Sequence, residues 1–246
     1  MVSKLQGAII AAGRGERLRE STRADLPKPL VELDGKTMLA RQAAAMLAAG
    51  ADSIVAIINS ETARIAEEKK LAIPAGVRLV VRDTPNSMET MLALKEFLEP
   101  GWFLAATVDA VIPQTELARF VNEARRKTEL YNDKNFAGVL AVTQWRDEAR
   151  ALFADVTKDN LIARLGGAQT QMVTAGLYCL STRIFDFADE ARRAGLDALR
   201  RFLAMLIDNR MRSNRMQLGA IEIDGAIDVD EAVDLEAARR ALRSNQ

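Results

Sequence analysis

"GAIIAAGRGERLRESTRADLPKPL", residues 7–30, holds three glycines, four arginines and one lysine directly behind a short apolar run. The run "LQGAIIAA", residues 5–12, has the length and composition of a buried strand. A glycine-punctuated loop that follows the first strand of a parallel sheet lies at that strand's carboxyl end, where open α/β sheets bind ligands. There Gly13 and Gly15 let backbone N–H groups close around phosphate oxygens, and Arg14 and Arg17 add charge. From Arg14 to Lys28 the loop carries five basic and three acidic residues, an excess that suits a polyphosphate. A tight turn with solvated charges is the plainer reading of the same letters. Leu18 stands where a dinucleotide-binding G-x-G-x-x-G wants its third glycine, and no G-x-x-x-x-G-K-[ST] occurs. "LPKPL", residues 26–30, favours the phosphate reading, because two prolines stiffen the chain around Lys28 and present its ammonium as a positioned charge.

Outward from this loop, apolar runs alternate with amphipathic stretches. "TMLARQAAAMLAAG" reads as a helix ending at Gly50, "DSIVAIIN" as a strand, and "SETARIAEEKKL" as a helix capped by Ser60. "GVRLVVRD" (strand), "SMETMLALKEFL" (helix), "WFLAATVDAVI" (strand) and "QTELARFVNEARRK" (helix) continue the pattern. This is the βαβα rhythm of a mostly parallel sheet with helices on both faces. From about residue 136 the rhythm changes: "FAGVLAVTQW", "RALFADVTKDNLIARLG" and "MVTAGLYCLS" follow with little helix between them, and "KDN" reads as a hairpin turn. A long helical region, roughly 183 to 211, precedes a last strand "MQLGAIEID" and a closing helix "EAVDLEAARRALR". With no Gly/Ser linker and no repeat, residues 1–246 are expected to form one domain.

Composition removes several kinds of chemistry. Thirty-four Lys and Arg balance thirty-four Asp and Glu, which gives no reason to expect nucleic acid or an anionic membrane as partner. Cys179 is the single cysteine, so an internal disulfide and a Cys-rich zinc site are excluded, and its apolar neighbours predict a buried thiol. The chain has no histidine, which removes the commonest general base and the commonest nitrogen ligand for metals. Its start does not read as a signal peptide and no run is long enough to span a membrane, so a cytoplasmic protein is expected.

"AAGRGERLRESTRADLPKPLVELDGKTMLARQAAAMLAAG" resembles the start of the sugar-phosphate nucleotidyltransferase family, of the NDP-sugar pyrophosphorylase and MobA-like NTP transferase kind. The family signature, G-x-G-x-R-L followed by P-K-P-[LM], is filled by Gly13, Gly15, Arg17, Leu18, Pro27, Lys28, Pro29 and Leu30. "ATVDAVI" resembles the strand whose aspartate, here Asp109, holds magnesium. "TAGLYCLSTRIFDF" resembles the stretch that contacts the sugar, and "GAIDVDEAVDLEAARRAL" the closing D-x-D-x-x-x-D-L segment whose first aspartate, here Asp228, is the second metal ligand. The resemblance implies a GT-A-like, Rossmann-like α/β fold, with residues 1–135 as the nucleotide-binding half and 136–246 as the half that binds the acceptor and completes the metal site. It implies an enzyme that joins a nucleoside monophosphate unit to a sugar phosphate or similar phosphorylated small molecule, with Mg2+ as cofactor and release of pyrophosphate. A molybdopterin nucleotidyltransferase shares the front motifs, and a nucleotide-binding regulatory protein without turnover is the alternative of a different class.

The chemistry suits the residues. A phosphate oxygen of the acceptor is anionic at neutral pH and attacks without a general base, so the absence of histidine is no obstacle. What must be supplied is alignment of two anions and stabilisation of charge on the α-phosphate and the departing pyrophosphate. Arg17 and Lys28 are expected to hold phosphates, with Asp109 in the catalytic set. Ala11, Ala12, Gly13, Arg14, Gly15 and Lys28 would line the nucleotide, and Asp109 with Asp228 would hold magnesium, which takes oxygen ligands. Asp109 also fits a plain loop carboxylate, and Asp224, Asp228, Asp230, Glu231 and Asp234 crowd one stretch where some must be solvated or capping. Asn86 and Ser87 either read the nucleobase or cap the next helix, with Ser87 the candidate cap. Arg14 either meets phosphate or screens Glu16 or Glu20, Arg19 and Arg23 read as surface charge, and Met88 and Met91 as core. One departure concerns the acceptor: where many relatives place a lysine after the central hairpin, "LIARLGGAQTQ" has none, which leaves Arg164 and the backbone of Gly176 as candidates, Arg164 being equally readable as a solvated strand residue. The hexapeptide repeats of an attached acyltransferase domain are absent from the sequence.

Overall fold

The computed structural model describes residues 4–23, 25–71, 75–130, 135–144, 152–208 and 216–244. In chain order it contains β1 (Gln6–Ala11), α1 (Glu16–Thr22), a 3-10 turn at Lys28–Leu30, the short hairpin β2 (Glu32–Leu33) and β3 (Lys36–Thr37), and α2 (Met38–Ala48). β4 (Ser53–Ile58), α3 (Ser60–Glu68), β5 (Val77–Val81), α4 (Ser87–Ala93), β6 (Trp102–Thr107), β7 (Ala110–Val111) and α5 (Gln114–Leu130) follow. The second half adds β8 (Phe136–Gln144), β9 (Phe153–Val156), β10 (Ile162–Leu165), β11 (Met172–Ser181), α6 (Ala188–Arg193), α7 (Leu199–Ile207), β12 (Gln217–Glu222), β13 (Ile227–Asp228) and α8 (Ala232–Ser244).

β1 lies between β4 and β6, parallel to both, and β5 continues the sheet beyond β4. On the other side β11 runs antiparallel to β6, β8 antiparallel to β11, and β12 parallel to β8. Met172 and Val173, outside the part of β11 that pairs with β6, pair instead with β9, which forms a hairpin with β10. The chain thus winds from β1 to β4 and β5 in one direction, then returns across β1 to place β6 on its opposite side. Such a reversal opens a crevice at the carboxyl ends of the two central strands, here β1 and β6, where doubly wound sheets bind ligands.

Alternate residues of each strand feed two cores. Ile9, Ala11, Leu104 and Ala106 pack with Met38 and Met46 of α2, Leu117 and Phe120 of α5, and Leu235 of α8. Ala8, Ile10, Phe103 and Ala105 pack on the other face with Met88 and Met91 of α4 and Phe202, Leu203 and Leu206 of α7. Cover on both faces explains why these strands read as unbroken apolar runs rather than as alternating ones. Each large side chain so buried contributes about 1.5–3 kcal/mol, so the two cores hold the central strands and their carboxyl ends rigidly. Cys179 is buried, as its sequence context predicts, and burial pushes its thiol up to about 12. Among the described residues no helix is long and apolar enough to cross a membrane.

The structure corrects several local expectations. The predicted strand 102–112 is divided: β6 ends at Thr107, and β7 leaves the main sheet to pair with β13. The predicted helix 183–211 is a 3-10 turn, Thr182–Phe187, followed by α6 and α7. α6 closes at Gly195 with N–H groups of Gly195 and Leu196 donating to Arg192 and Ala191, the bonds of a Schellman end. Residues 209–211 of that expectation, Trp145 of the strand expected at 136–145, and residues 150–151 lie outside the described residues. Ser60 is not the cap of α3; Asn59 is, its Oδ1 accepting from Thr62 N at 2.8 Å. Ser87 likewise does not cap α4, since Asn86 Oδ1 accepts from Glu89 N at 2.9 Å. In both places an asparagine one residue earlier has the extended backbone a cap requires.

Candidate active site

Four segments converge at the crevice between β1 and β6. The first is the turn after β1, where Gly15 caps α1 with φ of 64°. A side chain there would be strained, and its Cβ would stand 2.6 Å from Lys28 Cβ, so glycine is what lets the lysine stem pass beneath the loop. The second is the 3-10 turn, in which Pro27 and Pro29 flank Lys28 and the whole Lys28–Leu30 segment is buried. The third is the corner after β6, which carries Asp109. The fourth runs from the end of β13, which carries Asp228, into the corner before α8, which carries Asp230. β7 and β13 bind these two corners together: Asp228 is opposite Ala110, and Val229 N donates to Asp109 O at 3.1 Å.

Lys28 Nζ donates to Asp109 Oδ2 and to Asp230 Oδ1, each at 2.8 Å, and Arg17 lies 2.6 Å from the other oxygen of Asp230. The side chains of Lys28, Asp109 and Asp230 are 10, 21 and 24% exposed, so water screens these pairs only partly. Burial alone would lower the Lys28 pKa, but Asp109 and Asp230 outweigh it and hold the ammonium above its ordinary value. Burial would likewise raise the Asp230 carboxyl; Lys28 and Arg17 reverse the sign and hold it below the ordinary carboxylate value. Asp109, Asp228 and Asp230 each offer an oxygen within 4.8 Å of the others. Three carboxylates against two cations leave one negative charge, and a hard oxygen donor set of this kind suits a divalent cation such as Mg2+.

Gly176 closes the site from β11. The register of β11 breaks between Thr174 and Tyr178, and Gly176, with φ of 68°, comes so near Thr107 and Ala110 that a Cβ would lie 2.6 Å from Thr107 Oγ1. Burial, with the nearby charges of Asp228 and Asp109, pushes the Tyr178 phenol above its ordinary value. The acidic wall of Asp109, Asp228 and Asp230 thus lies close to β11.

Residues 7–206 match the MobA-like NTP transferase domain. This chain belongs to that family. Mannose-1-phosphate guanyltransferase of Kluyveromyces lactis is 29% identical over 199 residues, covering 75% of this chain and 52% of the relative, and the Candida albicans protein of the same name is 28% identical over the same coverage. The chain spans about half the length of the curated relatives it matches. Among solved structures, the inositol-1-phosphate CTP transferase from T. maritima superposes with a TM-score of 0.75 at 16% identity, over 96% of this chain and 95% of that one. The CTP:phosphocholine cytidylyltransferase from Streptococcus pneumoniae gives 0.72 at 18%, over 98% and 100%. These superpositions establish the GT-A-like α/β fold that the sequence resemblance implies.

Within this NTP transferase domain the remaining expected residues are placed as follows. Gly13 borders open space, with nothing within 4 Å of the position a Cβ would take. Ala11 and Ala12 are buried with their side chains in opposite cores, and offer the crevice only backbone. Arg14 is exposed, 3.7 Å from Glu16. Asn86 and Ser87 lie after β5 on the same sheet edge; Asn86 caps α4, and Ser87 Oγ accepts from Leu199 N at the start of α7. Arg164 is on the outer hairpin, half exposed, and its ion partner is Asp155 at 3.7 Å rather than a member of the Lys28 cluster. Arg19, expected as surface charge, instead clamps α1 to α3 through both oxygens of Glu61.

Asn59 escapes the sequence reading, and Asp234, expected only as one of five acidic residues of which some are solvated or capping, has the capping role. Buried Asn59 donates from Nδ2 to Ala12 O at 3.1 Å while capping α3, which fixes the start of the glycine loop. Asp234 accepts from the N–H groups of Asp230 and Glu231, at 3.0 and 2.8 Å, and so holds the backbone that presents Asp230. Both are short polar residues where an apolar strand or acidic run meets a helix, which is the signal a cap leaves in sequence.

Proposed function

We propose that this chain transfers a nucleoside monophosphate from a nucleoside triphosphate to a sugar 1-phosphate or a similarly phosphorylated small molecule, with Mg2+ as cofactor. The acceptor phosphate oxygen forms the new bond to the α-phosphorus, the α–β bridging P–O bond breaks, and pyrophosphate leaves with its electron pair. The observation that carries this reading is Lys28, held between Asp109 and Asp230 beneath a glycine loop at the crevice of the sheet.

The glycine loop would take the triphosphate, Gly13 on its open side allowing oxygens to reach backbone N–H groups. Lys28 and Arg17, now paired to carboxylates, would turn to the phosphates and stabilise charge as pyrophosphate departs. Asp109 and Asp228, with Asp230 in reach, fit a bound magnesium, which would supply charge stabilisation to the reacting phosphates. Asn86, whose Oδ1 serves as a cap, retains its amide nitrogen as a donor toward the nucleobase. Arg164 and the Gly176 backbone would receive the acceptor. We place nucleotide contacts in residues 1–135, acceptor contacts in 136–246, and the reaction in the cytoplasm.

The test is a matrix of the four nucleoside triphosphates against sugar 1-phosphates, inositol 1-phosphate and phosphocholine, with Mg2+, scored by pyrophosphate release. The first cell to fill is GTP with mannose 1-phosphate, the pairing named for the sequence relatives. Release that requires both substrates and is abolished by EDTA supports the reading. Nucleotide binding with no release in any cell contradicts it and favours a binding protein.

A further inference from the structure

A second concavity lies behind the catalytic corner. It has a volume of about 290 Å3 and is walled by α2, the hairpin β2–β3, the Val108–Ile112 side of β7, the start of α5 and Leu242 of α8. Its space is on the order of ten water-sized groups. Asp109 is not part of the lining, although its neighbours Val108 and Ala110 are, so this space is the reverse side of the corner that carries the carboxylate.

The lining has a chemical bias. Its body is apolar, including Leu33, Val111 and Leu242, and no carboxylate contributes to it. Its polar side chains are Lys36, Arg41, Gln42 and Gln114; Gln114 Nε2 donates to Ala45 O at 3.2 Å, whereas two buried donors of Arg41 and Gln42 lack acceptors. Gln42 is 5% exposed, and its Nε2 is buried with no hydrogen-bond partner. Arg41 uses Nη2 on Leu33 O at 2.7 Å, whereas its buried Nε has none. Lys36 also lines the space, and among the described residues neither it nor Arg41 has an ion-pair partner. Buried donors are nearly always satisfied in folded proteins, and two adjacent exceptions on one cavity mark the position of an absent acceptor. An anionic acceptor also meets the two unpaired cations.

We propose that this cavity is a second binding site, separate from the Lys28–Asp109 crevice, for a small amphiphilic anion. A carboxylate or phosphate head is held by Arg41, Gln42 and Lys36, and an apolar body lodges against Val111 and Leu242.

Calorimetric titration tests this with octanoate and hexyl phosphate as probes that differ in head group, inorganic phosphate as head alone, and hexanol as body alone. At least one of the two amphiphiles is expected to bind with one-to-one stoichiometry, at least tenfold more tightly than inorganic phosphate or hexanol. The tighter of the two identifies the head. Ala48→Phe, which adds bulk at an exposed position of the lining, is expected to weaken it at least tenfold, as is Arg41→Gln, while Lys28→Met in the crevice leaves it unchanged. Circular dichroism checks that each variant is folded, and Ala48→Phe decides if Arg41→Gln is not. Absence of saturable binding, affinity indifferent to Ala48→Phe, or affinity lost in folded Lys28→Met overturns the proposal. The result stands apart from the nucleotidyl-transfer reading, because no nucleotide enters the experiment.

Discussion

Lys28 is the residue through which most of the site's electrostatics passes. Replacing it with methionine leaves Asp109 and Asp230 facing each other without their shared cation, a loss expected to cost on the order of 3 kcal/mol. If the proposed activity is correct, turnover falls at least a hundredfold as well. The pairing sets a pH window. The folded pKa of Asp230 is depressed, so its contribution is present above the ordinary carboxylate value of about 4 and is lost as pH falls through the lower folded value. The Lys28 pKa is raised, so its contribution is present below about 10.4 and is lost only as pH rises through the higher folded value. Urea unfolding of wild type and Lys28→Met should therefore show a constant stability gap from pH 5 to 9 and a narrowing gap below about pH 4. A gap that widens on acidification contradicts the assignment. The two loop glycines give a second contrast. Gly15→Ala combines a left-handed backbone with a Cβ 2.6 Å from Lys28 and should lower the melting temperature by several degrees, about 1–3 kcal/mol. Gly13→Ala meets nothing within 4 Å and should change stability by less than about 0.5 kcal/mol while raising the KM for nucleotide. Equal melting temperatures for the two variants would remove the steric account of Gly15.

At the scale of elements, short polar junctions position the acidic wall. β7 and β13 are only two residues each, yet their pairing joins the corner after β6 to the corner before α8. Asp234 then caps the start of α8 through Asp230 and Glu231, and Ser21 Oγ of α1 accepts from Ala232 N at 2.9 Å. Asp234→Ala should cost about 1 kcal/mol, as loss of a helix cap does. It should also lower kcat more than it changes nucleotide KM, because it loosens Asp230 without touching the glycine loop. Unaltered kinetics with reduced stability would confine Asp234 to capping alone. This element level is also where the sequence is least legible. The strand expected over 102–112 hides a corner at Asp109, because Val108, Ala110, Val111 and Ile112 stay buried after the chain leaves the sheet. The helix expected over 183–211 ends locally at Gly195, whose left-handed backbone closes α6, and resumes at α7, where Ser87 of another helix receives the first N–H. Asn59 and Asn86 displace Ser60 and Ser87 as caps by one position, a shift that periodicity cannot resolve.

Over the whole molecule, the βαβα rhythm of the first half was legible because both faces of the sheet are covered, so every central strand is a continuous apolar run. The antiparallel β11 and the hairpin β9–β10 are less marked in sequence, since their apolar pattern does not state which strands they join. Gly15, Arg17 and Lys28 are legible from a motif pair and Asp109 from the separate resemblance of "ATVDAVI"; the pairing of Lys28 with Asp230, 202 positions away, is a product of the fold alone. The central claim is that this convergence performs nucleotidyl transfer, and phosphorus NMR of the reaction in the most active cell of the substrate matrix tests it directly. Wild type is predicted to convert nucleoside triphosphate and acceptor phosphate into pyrophosphate and the pyrophosphate-linked conjugate in equal amounts. Asp109→Asn, with an unchanged melting curve, is predicted to do so at least about a hundredfold more slowly. Pyrophosphate formed without the conjugate, or an Asp109→Asn protein as fast as wild type, would contradict it.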